Sequence, residues 1–574
     1  MRIIATSMAL YSLGAAARTP QTEERSASEA GSEVNSENGF GDIIVTARLR
    51  KERLQDVPVA ATAYTGKDLA LYNTESFTSI AARSPSLGVQ PFSGSSQFAL
   101  SLRGIGTGSL APSSDQAVSI NIDGVQFSQS NALRLGLHDL DRVEILKGPQ
   151  ALFFGKNSTA GIISITSADP GTKFEAMLRA GYEFANERKF VEGSISVPLT
   201  ETLGLRVTAY HRNQNGWFRN DAVPVPSVQV PAFLGGQGEF TPAGVGPSTP
   251  TGPDERETFV RGTLVFKAPD QSFEARLKLA YSDFDRKNGY GFVTQRVRCL
   301  SPAGPTFVVA LGQGSTDCKL DRYFNEVHFS PGVLALDPRL GDDQGRPYTR
   351  QRQFLASLTA DFRPSDQLTL TSVSGYHRLK DRISLTNAQA NISSIGTFSG
   401  IDLEQFTQEL RLLSSFQSPF NFLAGGFFQH ATNNQDNSVA FDAPYARFFS
   451  GGFFTGPVQI SNYQGRLKTD AWSVFGQAIV DVTSKVQLTA GARYSEERKK
   501  AGATSLPYSF SPTTFEVPIT PDKRKFTNFS PEATITYKPV DNLTLYGAYR
   551  KGFKSGGYSL DAVTLAYGAH VPAG

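Results

Sequence analysis

From Phe174 onward, apolar and polar residues alternate with a period of two. Phe273, Ala275, Leu277, Leu279 and Tyr281 alternate with Glu274, Arg276, Lys278 and Ala280. Val486, Leu488, Ala490, Ala492 and Tyr494 alternate with Gln487, Thr489, Gly491 and Arg493, and Leu203, Leu205, Val207 and Ala209 oppose Arg206, Thr208 and Tyr210. Successive side chains of a strand point to opposite faces, so each segment predicts a strand with one apolar and one polar side. Alternation also describes a soluble sandwich, and the connections separate the two. Short links fall at Leu199–Thr202, Ala268–Gln271, Arg363–Asp366, Ser415–Pro419, Val482–Lys485 and Lys538–Asp541. Between them lie long ones, at Asn213–Glu257, Asp283–Thr349, Lys380–Leu403, Thr432–Lys468 and Lys499–Arg524. One end of the sheet thus carries turns and the other large loops, the asymmetry of a transmembrane antiparallel β-barrel in an outer membrane.

Before Phe174 the pattern changes. Val143–Leu146 predicts a strand, Lys147-Gly148-Pro149 breaks it, and Gln150–Phe154 suits a helical turn. Gly155 and Asn157 tolerate left-handed geometry, after which Gly161–Ile165 resumes a β-branched strand. Thr65 is a candidate cap for a helix over Gly66–Leu69, and a second helix ends near Ile80–Leu87. Residues 90–118 shift to Ser, Gly and Pro, as in loops.

The stretch Arg142–Ile165 (RVEILKGPQALFFGKNSTAGIISI) resembles the plug signature of TonB-dependent outer-membrane receptors, and DIIVTA at 42–47, SLRG at 101–104 and INIDGV at 120–125 match in order. The resemblance implies an α+β plug over residues 48–170 inside the lumen of a barrel over 171–574. It implies a TonB box at Asp42, Ile43, Ile44, Val45, Thr46 and Ala47, whose β-branched residues favour an extended strand able to add to a partner's sheet. Arg103, Arg142 and Glu144 fall at positions implied to hold the plug against the barrel wall. Barrels of this kind have about 22 strands. Residues 174–553 supply 13, so the chain is expected to be C-terminally truncated.

Composition narrows the function. Lys+Arg 56 against Asp+Glu 53, with no basic run, argues against a nucleic-acid partner. No run of 18 apolar residues exists, so no membrane-spanning helix is expected. Residues 1–17 read as a signal peptide and 18–41 as a flexible lead, too polar to order itself. No Ser/His/Asp arrangement, phosphate loop or metal-ligand cluster appears, so neither an enzyme nor a bound metal or covalent cofactor is expected. Cys299 and Cys318 lie 19 positions apart in one long loop, where a disulfide would stabilise by about 3 kcal/mol on the chain-entropy model.

The function so implied is active import of a scarce bulky ligand, with a ferric siderophore as cargo and the TonB complex, outer-membrane lipid and lipopolysaccharide as partners of a monomer. Candidate ligand contacts are Phe92, Gln97, Ser113 and Asp115 in the plug loops, and the aromatic run Phe441, Tyr445, Phe448 and Phe449. Those rings equally suit packing on one another. Cobalamin and oligosaccharides remain open as cargo, and a passive porin or adhesin is the rival from another class.

Overall fold

A computed structural model describes residues 43–560 apart from 47, 49, 51, 73, 75, 92–96, 108–114, 128, 136–137, 221–227, 230–238, 241–245, 288–321, 325, 343, 387–394, 444–445, 447–449, 451–453, 510–512, 518–520, 541 and 559. A two-residue strand pair opens it, with β1 (Ile44–Val45) antiparallel to β2 (Glu52–Arg53). β3 (Ala61–Thr65) leads into α1 (Gly66–Leu71), where Thr65 caps the helix reciprocally: its hydroxyl accepts from Asp68 N–H and its own N–H donates to the Asp68 carboxylate at 2.9 Å. Ser76 caps α2 (Phe77–Arg83), which buries Phe77 and Ile80. β4 (Leu87–Pro91), β5 (Phe98–Leu102) and β6 (Ile105–Gly106) form a small antiparallel sheet.

The main plug sheet adds β7 (Val118–Ile122), β8 (Val125–Phe127), β9 (Leu140–Lys147) and, after α3 (Ala151–Phe154), β10 (Gly161–Ser167). The order is β3-β9-β10-β7-β8, with β10 parallel to β7 and the other pairs antiparallel. Ile162, Ile163 and Ile165 are all buried, as expected for a strand covered on both faces. Gly148, Gly155 and Asn157 adopt φ values of 85°, 67° and 66°, the left-handed backbone that the turn sequence predicts.

The wall is an antiparallel meander. It runs through β11 (Glu175–Glu183), β12 (Arg188–Pro198) and β13 (Leu203–Gln214). Short strands β14 (Phe218–Asn220), β15 (Val228–Gln229), β16 (Glu239–Phe240) and β17 (Thr251–Gly252) occupy the next connection. It resumes with β18 (Asp254–Lys267) and β19 (Phe273–Lys287), followed by β20 (Tyr323–Phe324) in a connection. Then come β21 (Tyr348–Ser365), β22 (Leu368–Thr386), β23 (Ile395–Ser414), β24 (Phe420–Phe441), β25 (Val458–Thr483) and β26 (Val486–Ser505). β27 (Phe515–Val517) pairs with β26, and β28 (Lys523–Val540) and β29 (Leu543–Arg550) end the path.

Thirteen strands lie on this path, as the alternation predicts. They run further into the long connections than expected: β24 and β25 reach 22 and 26 residues, closing much of the segment read as the Thr432–Lys468 loop. About 9–11 residues suffice to cross a bilayer, and a hairpin ladder can continue into water because its backbone groups remain paired.

The outer face carries two aromatic levels. Phe273 and Tyr281, Phe362 and Phe354, Phe420 and Phe428, and Tyr537 and Phe529 are all exposed, and each pair is eight residues apart along its strand. At about 3.3 Å per residue this spans roughly 26 Å along the strand, close to the apolar band of a membrane barrel. Among the described residues no helix is long and apolar enough to cross a membrane.

Candidate coupling segment and plug–barrel interface

The segment Ile43–Thr46 is docked against the plug. Leu54 N–H donates to Ile43 O at 2.8 Å, and the β1–β2 ladder sets Ile44 opposite Arg53. Val45 is fully buried in a cluster with Leu146, Leu152, Phe153 and Ile162 of the plug and Leu423 and Phe475 of the wall, whereas Ile44 is exposed. Beyond it, Thr46 N–H donates to both Glu144 carboxylate oxygens, at 2.9 and 3.0 Å, and its hydroxyl donates to Oε1 at 3.0 Å. Arg142 Nε donates to the same Oε1 at 2.7 Å and its Nη2 to Thr46 Oγ1 at 3.3 Å. A buried carboxylate is costly unless partnered, and two of the three donors to Glu144 belong to Thr46. The Ile43–Thr46 segment is therefore held by the apolar packing of Val45 and, in part, Ile43, by one short ladder and by one carboxylate.

The structure thus places two of the expected seam residues differently. Arg142 and Glu144 bind each other and Thr46, not the barrel wall, because their side chains leave β9 on the face that Thr46 covers. Arg103 sits exposed in the β5–β6 turn at φ 51° and makes no ion pair with the wall among the described residues. Asp42 and Ala47 lie outside the described residues, as do Phe92, Ser113, Tyr445, Phe448, Phe449, Cys299 and Cys318.

Other residues form the seam. Asp139 accepts from Arg206 at 2.6 and 2.7 Å and from Thr208 at 2.5 Å, while Arg261 donates to the backbone oxygens of His138 and Asp139 at 2.9 and 2.7 Å. Lys278 Nζ lies 3.1 Å from Asp123 Oδ1 and donates to Ser167 O at 2.8 Å. Asp115, an expected ligand contact, instead accepts from Lys499 at 2.7 Å, and Lys156 bonds Glu497 beside it. Burial pushes the carboxyls of Asp123, Asp139 and Asp115 upward, but the facing cations and donors more than reverse it: Lys278 and Arg261 for Asp123, Arg206 and Thr208 for Asp139, Lys499 and Lys156 for Asp115. All three are held below the usual aspartate range. At the short-turn end, Lys538 donates to Asp56 at 2.8 Å.

Among the described residues every ion pair between plug and wall falls on β13–β19, β26 or β28. The hydrogen bonds given by strands β21–β25 to the plug come from neutral groups, while the charges of Asp381 on β22 and Asp481 on β25 act on plug-side Arg134 and Arg50 at longer range. Gln353 donates to Asn131 O at 2.9 Å, Ser357 to Asp123 O at 2.7 Å and Gln405 to Gln126 O at 2.8 Å. A Cβ at Gly375 would stand 2.6 Å from a Val125 methyl, so glycine permits this approach. A cleft of about 40 Å³ lies here, lined by Asn131, His377, Gln405 and Gln429, with Asp115 and Lys499 at one edge. Both side-chain atoms of buried Asn131 lack a protein partner. Gln97 is buried just before β5, and Phe441 ends β24.

A sheet-and-helix body seated within a lipid-facing β wall, with a docked extended segment at its short-turn end, defines a plugged outer-membrane barrel. The description "TonB dependent receptor-like, beta-barrel" matches residues 272–569 and "TonB-dependent Receptor Plug Domain" matches 53–162. The chain belongs to the TonB-dependent receptor family and is an outer-membrane protein. The pesticin receptor of Yersinia pestis is 27% identical over 148 residues, covering 25% of this chain and 21% of that protein. That of Yersinia enterocolitica is 33% identical over 82 residues, 14% of this chain and 12% of its own. The matched stretch thus spans about a fifth or less of these relatives. Among solved structures, the ferric yersiniabactin uptake receptor of Yersinia pestis aligns with TM-score 0.64 at 17% identity, covering 88% of this chain and 67% of that one. The ferripyoverdine receptor of Pseudomonas aeruginosa aligns with TM-score 0.61 at 14% identity, covering 89% and 59%. These likenesses are of fold.

Proposed function

We propose that this protein imports a ferric siderophore across the outer membrane, energised by TonB through residues 42–47, with 48–170 as plug and 171–574 as barrel. The observation that carries the reading is the docked strand at Ile43–Thr46. It presents an edge that a partner's sheet can extend, and its attachment rests on few contacts. Pulling Thr46 withdraws two of the three donors to buried Glu144, so traction on the segment is felt at once in β9, which lies between β3 and β10 of the plug sheet. The route for cargo opens along β21–β25, where the plug is held by neutral hydrogen bonds and a polar cleft. Relatives of this fold include receptors for ferric yersiniabactin and ferripyoverdine, which supports an iron chelate as cargo.

The test is uptake of radioiron carried by yersiniabactin, pyoverdine or a catecholate into cells bearing the full-length protein, with and without residues 42–47. Import of at least one chelate that vanishes on deletion, with surface binding retained, is expected. Equal uptake by both proteins would favour a passive pore, and import of none of the chelates would remove the siderophore assignment.

A further inference from the structure

One stretch of the wall turns inward and meets the plug with its backbone. β29 ends at Arg550, and residues 551–556 (KGFKSG) leave the sheet to lie on the turn that follows α3. Asn157 N–H donates to Phe553 O at 2.8 Å, and Ser555 N–H donates to the Asn157 side-chain oxygen at 3.1 Å. Among the described residues the first of these is the one backbone-to-backbone hydrogen bond joining plug to wall. A Cβ at Gly552 would stand 2.9 Å from Thr159 Cα, so the two chain segments run in direct contact. The surrounding charges are shared across the junction. Lys499 of β26 donates to Asp115 of the plug and to Gly556 O, both at 2.7 Å, while Glu497 accepts from Lys156 of the plug and from the Ser555 hydroxyl. Asn157, Ser555, Glu497 and Lys499 are all buried.

A second hold lies where this stretch begins. Arg550 pairs with Glu532 at 3.2 Å and donates to Pro58 O at 2.8 Å, and Lys538 of β28 donates to Asp56 at 2.8 Å. Residues 56–58 belong to the chain that leads from the coupling segment to β3. Traction that has freed residues 43–46 therefore reaches residues 56–58 next, where Arg550 and Lys538 pass the load into β28 and β29. Parting the junction at 551–556 would leave Asp115, Lys156, Glu497 and Lys499 buried without their partners across the seam. Unpairing a buried charge costs several times a neutral hydrogen bond, so the seam along β21–β25 yields first. We propose that residues 550–556 form a clasp that keeps hold of the plug turn at 155–159 throughout transport, the fixed point about which the opposite side of the plug moves. Asn157 positions that turn, its left-handed backbone at φ 66° presenting both N–H and side-chain oxygen to the clasp. The inference rests on the transport reading and adds to it the part of the plug that does not leave.

The test has two arms, both on full-length protein with heat-modifiable electrophoretic mobility as the control for folding. In the first, Thr159→Cys with Phe553→Cys is joined by a short cleavable thiol cross-linker in cells importing radioiron. Import by the linked protein should stay within about twofold of the unlinked pair; import that stops on linking and returns on cleavage would overturn the proposal. The second arm needs no cargo, so it keeps failure of the clasp distinct from failure of the transport reading. The protein is held in a lipid bilayer and pulled by a handle placed ahead of Ile43. Extension should pause once residues 43–55 are drawn out, about 4–5 nm at roughly 3.3–3.6 Å per residue, and the pause should vanish in Arg550→Met with Lys538→Met. Asn157→Gly keeps the left-handed turn and loses only the side-chain acceptor. It should shorten the lifetime of the plug under constant load by roughly three- to tenfold. A wild type without the pause, or an Asn157→Gly plug that lasts as long as wild type, would overturn the proposal.

Discussion

The plug meets its wall in two ways. Over β13–β19 the contact is ionic and enclosed, with Asp139 gripped by Arg206 and Arg261 and Asp123 by Lys278. Over β21–β25 the direct contacts are neutral hydrogen bonds from single amide or hydroxyl donors, with a glycine approach and a cleft holding unpartnered Asn131, and charges act only at longer range. Buried ion pairs add little net stability over apolar packing, but breaking one strands a charge at a cost of about 3–5 kcal/mol. A neutral hydrogen bond is replaceable by water for about 1 kcal/mol. The charged flank therefore fixes position, and the amide wall is where the seam parts most cheaply.

The largest effect should follow from Lys278→Met, which leaves Asp123 buried without its nearest cation. We expect loosening of the plug by about 3 kcal/mol, read as faster protease cleavage within residues 43–170. Acid should act on the same flank. The folded carboxyls of Asp123, Asp139 and Asp115 are held below their ordinary value, so their contribution is complete above the unfolded aspartate value near 4 and drains away as pH falls below it. Protection of the plug from protease should be flat from pH 7 to about 5 and fall below about 4; a loss centred at pH 6 would contradict the assignment. Glu144→Gln keeps the shape of the latch but removes its charge, and should expose the Ile43–Thr46 segment by about 2 kcal/mol. Labelling of a cysteine placed at Val45, which is buried while the segment is docked, measures this, with barrel melting unchanged. Gln405→Leu should cost about 1 kcal/mol or less, and a larger loss of protection than Lys278→Met would reverse the comparison.

Much of this was legible in the sequence. The capped helix at Thr65, the turn from Gly148 to Asn157 and the polar face carrying Arg206, Lys278 and Arg493 follow from local chemistry and a period of two. The partners of those charges were not. Alternation says that Lys278 faces inward, but not that Asp123, 155 positions earlier, receives it, and Asp115 and Lys499 are 384 positions apart. The same limit misassigned Arg142 and Glu144: a motif fixes the strand they occupy, while the segment covering their face is set by tertiary packing. A signal for the true seam was present in the cations Arg206, Lys278 and Lys499 on the polar face of the alternation, though only the fold shows what they meet.

The claim that the plug separates from the amide wall is tested most directly by radioiron uptake through the full-length protein carrying Val125→Cys and Gly375→Cys. These sites are close enough for a disulfide, the replaced valine methyls standing 2.6 and 2.9 Å from the new Cβ. Uptake should stop when the pair is oxidised and return on reduction. Equal uptake in both states would show that cargo passes without the plug leaving β21–β25.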